Sequence, residues 1–360
     1  MKSEIYANLA VAAILFAMPA TAVQAREKYP SLSGDVSFEV QDDWTYESDD
    51  RSKLNNDLYP TIEPSVKVHF TPEWSAVAHV TIESIGDPAK FENRFFEDVG
   101  LYVDELYGEY AGERLSVKAG KLNAGFGVGW DAAAGLFGTD FAEDYETSER
   151  VGVFASWRLS GGENGSHRVW GGTFFKDTTI LSESALRGRG DTRRGDGGIG
   201  NTESFDNFIV AIDGEKIPFL GEAGYHFSVM GQSAGVGGTS DETSVAAAVF
   251  TNLDVGHGIT LTSLLEGVRI SHAGGTATED KEYVVLSGQL AWNSWNLALA
   301  HTWRATKRDS AADHRDTHFQ VSAGYAFDFG LSIDVGWKVV EEAKQETQTV
   351  GIKAGYTIPF

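Results

Sequence analysis

The amino-acid sequence predicts an all-β fold, a closed antiparallel transmembrane β-barrel of about sixteen strands. Nearly every segment from residue 33 to residue 360 alternates apolar and polar residues with a period of two, which is typical of strands with one apolar face. No stretch has the apolar spacing of a long helix. The links between segments alternate between short and long, so one rim of the sheet carries tight turns and the other carries long loops.

The final segment shows the alternation most clearly, because its apolar residues all share one face: Val350, Ile352, Ala354, Tyr356, Ile358 and Phe360. The same pattern predicts strands at 33–41, 61–70, 75–84, 101–110, 115–121, 150–158, 167–176, 205–213, 222–232, 243–251, 259–270, 282–292, 296–304, 317–327, 331–340 and 348–360. An even number of strands brings both chain ends to one side. Closure leaves no unpaired strand edge in lipid.

The connections divide into two classes. Most of those that follow even-numbered strands are turn-like, such as Thr71-Pro72-Glu73-Trp74 and Asp328-Phe329-Gly330. Most of those that follow odd-numbered strands are long and polar, at 42–60, 85–100, 122–149, 177–204 and 305–316. This asymmetry is typical of short periplasmic turns and long extracellular loops.

The amino terminus predicts a cleaved secretory signal peptide over residues 1–25, which leaves residues 26–360 as one barrel domain. Lys2 precedes an apolar run from Leu9 to Met18, and Val23-Gln24-Ala25 offers a cleavage site. That run is about ten residues, whereas a membrane-spanning helix needs roughly 20. Export with strands as the only spans predicts the bacterial outer membrane, with its lipid and lipopolysaccharide as surroundings.

Composition excludes several classes of function. The chain has no Cys, so disulfides and thiolate metal sites are impossible. Its net charge of -23 argues against nucleic acid as a partner, because such binding needs a basic surface. The nine His have no spacing typical of zinc, and the acids of the first loop lack the order of a calcium loop. We therefore expect no cofactor and no metal.

Taken together, these features resemble the bacterial outer-membrane porins. The features that carry the resemblance are the cleavable signal, sixteen strands with eight outer loops, and a last strand ending in Tyr356-Thr357-Ile358-Pro359-Phe360. The stretch from Ala119-Gly120-Lys121 to Phe126-Gly127 is similar to the glycine-lysine to phenylalanine-glycine stretch where several porins leave strand five. The resemblance implies that the third outer loop folds into the lumen. It also implies that Phe360 and Tyr356 belong to a signal for the outer-membrane assembly machinery.

A channel with a narrow, charged neck is the function that the resemblance implies, and the third loop supplies candidate residues. Its acidic candidates for the constriction are Asp140, Glu143, Asp144, Glu146 and Glu149, and the opposing basic candidates are Lys118, Arg150 and Arg158. Carboxylates at a narrow neck lower the energy of a passing cation. We therefore expect a porin for passive diffusion of small hydrophilic solutes that prefers cations. The same charges could instead neutralise one another in a filled lumen.

Other readings stay open at this point. Glu146-Thr147-Ser148-Glu149-Arg150 is similar to siderophore porins of the legiobactin-receptor type, which implies a substrate-specific channel. A structural or adhesive barrel with a closed lumen is a third possibility, and a homotrimer is compatible with the sequence. An enzyme is not expected: Gly231-Gln232-Ser233-Ala234-Gly235 fits the G-x-S-x-G pattern, but a glycine-rich hairpin loop follows it where a nucleophile elbow needs a helix.

Overall fold

The computed structural model describes residues 28–360 apart from 139, 161, 163–164, 191, 219–222 and 310–311, so the predicted signal peptide lies outside the described residues. The strands are β1 (Ser31–Ser48), β2 (Asn55–His69), β3 (Trp74–Ser84), β4 (Arg94–Phe95), β5 (Val99–Ala111), β6 (Leu115–Leu122), β7 (Arg150–Ser160), β8 (Ser166–Lys176), β9 (Ala185–Leu186), β10 (Asn207–Ile217), β11 (Ala223–Gln232), β12 (Glu242–Gly256), β13 (Ile259–Ser271), β14 (Glu279–Trp292), β15 (Trp295–Arg308), β16 (His314–Ala326), β17 (Leu331–Glu342) and β18 (Gln345–Pro359).

Helical segments are short and lie in the connections. Among the described residues they are the α-helix α1 (Gly129–Ala132) and the 3-10 turns Arg51–Lys53, Asp140–Tyr145, Arg194–Asp196 and Ala273–Gly275. In the described part of the chain, no helix is long and apolar enough to cross a membrane.

The sixteen long strands form one closed antiparallel ring, which confirms the predicted fold. Each long strand pairs with its neighbours along the chain, and β1 pairs with both β2 and β18. At the seam the amide of Phe360 donates to the carbonyl of Gly34 at 2.9 Å, and the amide of Gly34 donates back at 3.0 Å. The two-residue strands β4 and β9 belong to outer loops and pair with the rims of β2 and β5.

Each predicted strand has a counterpart, and the errors lie at strand ends, some at the outer rim and others beside short turns, where β10 continues to Ile217 and β12 to Gly256. β1 continues to Ser48, so Asp42, Asp43 and Glu47 are strand residues and the prediction that they belong to the first loop is wrong. The predicted loop at 305–316 is also too long, because β15 continues to Arg308 and β16 starts at His314. These strand ends extend beyond the apolar band, where polar residues on both faces hide the alternation.

The outer face of the barrel is apolar between two sets of aromatic residues. On β15, Trp295, Leu297, Leu299 and Trp303 point outward and are 40% to 55% exposed. Trp295 and Trp303 are eight positions apart, about 26 Å along a strand. At the usual strand tilt of about 35–45° that length spans roughly 20 Å of height, most of the apolar band of outer-membrane barrels, which is about 25 Å tall. Trp74, Trp157 and Trp292 are exposed beside the short turns, as amphipathic rings at a headgroup boundary would be.

Closure of the ring depends on a glycine at the seam. A side-chain carbon at Gly34 would meet the backbone oxygen of Ser65 and lie 2.8 Å from Cζ of Phe360. We predict that Gly34→Ala lowers the free energy of unfolding by about 1–3 kcal/mol, the usual cost of overpacking. Urea unfolding of the refolded barrel measures the change. Gly108→Ala is the matched control, since it lies within β5 with open space around it, and an equal loss in both variants would contradict the prediction.

Candidate functional site

The connection between β6 and β7, residues 123–149, folds into the lumen as predicted. We call it the third loop. Its strongest anchor is Glu266 on β13, a carboxylate that is fully buried. Glu266 accepts hydrogen bonds from the amides of Val128 and Gly129 at 2.6 and 2.8 Å and from the hydroxyl of Tyr145 at 2.6 Å. A buried carboxylate is stable there because all three donors replace lost water.

A second set of anchors comes from β16 and β17. Gln320 accepts from the amide of Phe137 at 3.1 Å and donates to the carbonyl of Gly138 at 2.5 Å. Nζ of Lys338 lies 3.1 Å from Oδ2 of Asp140. The third loop therefore crosses the lumen from β6 to the opposite wall.

Asp144 is the centre of a third anchor. Its Oδ2 accepts from Arg304 at 3.0 Å and from the hydroxyl of Tyr283 at 2.9 Å. Arg304 is also bound by Asp316 and Glu342 at the outer end of β15. Asp140 and Asp144 thus lie against a basic wall, but that wall is Lys338 and Arg304 and not the predicted Lys118, Arg150 and Arg158.

The underside of the third loop is apolar and packs on strands β7 to β14. Phe126, Phe141 and Tyr145 are buried together with inward residues of those strands, among them Phe154, Phe174, Ile209, Leu264, Val268 and Val285. Burial of such side chains stabilises the folded state by roughly 1.5–3 kcal/mol each. The loop and these strands therefore share one apolar core along one side of the lumen.

Three loop carboxylates stay outside these anchors: Asp131, Glu143 and Glu146. Asp131 and Glu143 are exposed and Glu146 is half-buried, and none has an ion pair within 4.0 Å among the described residues. Enclosure by protein, followed by repulsion from Asp140, raises the pKa of Glu143 to about 7. Enclosure and repulsion from Glu143 raise the pKa of Glu146 to about 7, and enclosure raises that of Asp131 to about 6.

The wall in front of these carboxylates is itself acidic. Glu143 lies within electrostatic reach of Glu83 on β3, and Glu146 lies within reach of Asp104 on β5. Glu83 accepts a hydrogen bond from Tyr102, and Asp104 is 3.0 Å from Nδ1 of His79. We call Asp131, Glu143, Glu146, Glu83 and Asp104 the acidic ring. The two wall residues, Glu83 and Asp104, were not predicted from the sequence, although Glu83 lies at an inward position of the alternation.

The three predicted basic residues are not brought together. Lys118 lies over the ring of Tyr107 at 4.7 Å, and Arg150 is at the outer end of β7. Arg158 is eight positions further along β7, about 26 Å from Arg150 and close to the short turn. Arg150 and Arg158 therefore cannot both line a single constriction.

Glu149 belongs to a buried ionic cluster at the base of the third loop. Nζ of Lys121 is 2.7 Å from Glu149 and 2.9 Å from Asp177, and Arg189 also pairs with Glu149. The guanidinium of Arg189 stacks on Tyr102. The cluster ties the fourth outer loop, residues 177–206, over the place where the third loop leaves the wall.

Two stretches of the chain have features that hydrolytic sites share. Gly231 to Gly235 lead from β11 into the loop before β12, with no helix, as the pattern argument expected. A separate contact places His226 2.6 Å from Asp213 and 2.9 Å from Oγ of Ser228, yet Ser228 is completely buried. Asp213 is also held by Arg168. We interpret this network as a link between the inner faces of β8, β10 and β11.

Comparison with known proteins supports the architecture. No protein-family description matches the chain, and no curated protein matches it. Among solved structures, the loop L8 deletion mutant of OmpT, an outer-membrane protein of Vibrio cholerae, matches with a TM-score of 0.60 at 9% identity over 92% of this chain and 100% of that one. The outer-membrane channel DcaP of Acinetobacter baumannii matches with a TM-score of 0.59 at 12% identity, over 91% and 96%.

A third match is OccK1 (OpdK) of Pseudomonas aeruginosa, with a TM-score of 0.54 at 10% identity over 91% of this chain and 99% of that one. The chain has the fold of the outer-membrane channels. The predicted architectural resemblance to porins is thereby confirmed. Identities this low show the fold alone, and the resemblance to siderophore porins stays a prediction.

The Glu266 anchor can be tested directly. We predict that Glu266→Ala lowers the free energy of unfolding by about 1–3 kcal/mol, because two loop amides and one hydroxyl lose a buried acceptor. Urea unfolding gives the size of the loss. Proteolysis of the folded barrel should also cut within residues 123–149 of the variant. Glu341→Ala, at an exposed position on β17, should change neither the free energy of unfolding nor the proteolysis pattern. A third loop that stays resistant to protease in Glu266→Ala would contradict the role of Glu266 as an anchor.

Proposed function

We propose that the chain is a water-filled channel of the bacterial outer membrane for passive diffusion of small hydrophilic solutes, with a preference for cations. The acidic ring is the observation that carries the proposal. The third loop packs on β7 to β17, and its unpaired carboxylates Glu143 and Glu146 lie within electrostatic reach of Glu83 on β3 and Asp104 on β5. The path for solutes would then run between the loop and that wall.

Electrostatics decide the sign of the preference. Carboxylates on both sides of a narrow passage lower the energy of a cation and raise that of an anion. Further along the same wall, Glu63 has no ion pair within 4.0 Å among the described residues, whereas Glu39 is 3.4 Å from Lys353. Of the basic residues near the loop, Arg304 and Lys338 are already paired with Asp144 and Asp140, and Arg150 is a cation that acts on Glu146. Net negative potential therefore remains at the ring.

The preference should depend on pH. Since Glu143 and Glu146 have pKa values raised to about 7, both are ionised above that pH and neutral below it. We predict that a refolded barrel in a planar bilayer under a KCl gradient is cation-selective at pH 8, and that the selectivity declines as the pH falls through about 7. The reversal potential measures it.

Two variants make this test specific. Glu143→Gln with Glu146→Gln should lower cation selectivity at pH 8 and flatten its pH dependence, because the titrating charges are removed. Glu113→Gln, an exposed carboxylate in a short turn, should leave both unchanged. Anion selectivity, or unchanged selectivity in the double variant, would overturn the cation preference. An absence of conductance in the wild type would overturn the channel and favour the structural barrel.

The carboxyl terminus supports the proposed location. Phe360 is 54% exposed on the outer face, and the side chain of Tyr356 also points outward. We propose that the assembly machinery of the outer membrane binds this strand. Phe360→Ala should then reduce the amount of folded barrel in the outer membrane of expressing cells, as seen by fractionation. Refolding of the purified variant into detergent should proceed as in the wild type, and a refolding defect would instead assign Phe360 to barrel stability.

A further inference from the structure

A cavity of about 190 Å³ lies at the outer end of the lumen, beside the last residues of the third loop. Its walls come from the end of the third loop, the outer ends of β7, β11, β12 and β14, and the connection before β14. The charged side chains along it are Asp144, Glu146, Arg150, Glu242 and Lys281. Both signs of charge are therefore present in one small space.

The two cations of the cavity lack hydrogen-bond acceptors. Nε of Arg150 is buried and has no partner, and no carboxylate oxygen of the described residues lies within 4.0 Å of its guanidinium. Nζ of Lys281 has one near carboxylate, Asp144, at 3.8 Å. That oxygen already accepts from Arg304 and Tyr283. A partly buried cationic donor without an acceptor is costly, so these groups favour a ligand that brings anionic oxygens.

The cavity also offers acceptors that are not used. Oε1 of Gln232 is buried without a partner, and the residue is 5% exposed. Glu146 has no ion pair within 4.0 Å among the described residues, as noted for the acidic ring. Glu242, by contrast, is occupied by Gln232, Ser244 and the amide of Gly274. The unsatisfied groups are thus two cationic donors together with one carboxylate and one amide oxygen.

We propose that this cavity binds a small zwitterionic solute, with its carboxylate at Arg150 and Lys281 and its protonated amine at Glu146 and Oε1 of Gln232. A simple anion would be repelled by Glu146, and a simple cation would be repelled by Arg150 and Lys281. A zwitterion pairs with the cationic donors and with the acceptors at the same time, and it adds no net charge to the cavity. The proposal deepens the channel function by naming a solute class, and it rests on that function for its biological role.

Binding can be measured without conduction, which separates the two proposals. The probes are L-alanine, acetate and methylamine, each titrated against the refolded barrel in detergent by saturation-transfer NMR at pH 7.5. L-Alanine should bind saturably, and acetate and methylamine should each bind at least about tenfold more weakly, because each satisfies half of the site. Acetate or methylamine binding as tightly as L-alanine would overturn the zwitterion.

Variants locate the site. Arg150→Gln and Lys281→Gln should each weaken L-alanine binding about tenfold, the usual scale for one charge-assisted hydrogen bond. Arg158→Gln is the matched control, an inward arginine on the same strand near the opposite rim, and should bind as the wild type does. Circular dichroism establishes that each variant is folded. If Arg150→Gln does not fold, L-alanine binding to Lys281→Gln tests the site.

Unchanged L-alanine binding in a folded Arg150→Gln or Lys281→Gln barrel would overturn the site. Conductance recorded on the same preparations keeps the proposals apart. A barrel that binds L-alanine and conducts no ions would overturn the channel alone. A barrel that conducts ions and does not bind L-alanine would overturn the zwitterion site alone.

Discussion

The requirement that every backbone amide and carbonyl in lipid find a partner within the protein underlies this structure. The ring from β1 to β18 meets it, and the paired backbones of Gly34 and Phe360 complete the seam. A ring of sixteen strands is too wide for its own side chains to fill, whereas eight strands can be filled in this way. Closure therefore creates a lumen, and the third loop determines how much of that lumen is occupied.

The loop occupies it asymmetrically. Along β7 to β14 the inward residues are apolar, such as Phe154 and Ile209, because the loop covers them. Along β1 to β5 they include Glu63 and Glu83, which suit contact with water. Glu266 holds the loop backbone against β13, and Glu143 and Glu146 of the same loop lie within electrostatic reach of the acidic wall.

Sequence alone could predict the strands because the period-two alternation reports directly which residues face lipid. It could not predict the partners of the third loop. Asp140 and Asp144 were expected to lie opposite basic residues, and they do, but Lys338 and Arg304 lie far along the chain from the loop and only the closed ring brings them near. Glu266 carries no local signal beyond an inward position. The distance between Arg150 and Arg158, in contrast, could be estimated from strand spacing alone.

The central claim is that the third loop is fixed against the far wall while solutes pass on its other side. A side-chain carbon at Gly336 would lie 3.3 Å from Cβ of Leu136, close to disulfide geometry, and the chain has no cysteine of its own. Leu136→Cys with Gly336→Cys should therefore form a disulfide on oxidation, and single-channel conductance should be the same before and after reduction. A pair that fails to form a disulfide, or a disulfide that blocks the current, would contradict the account.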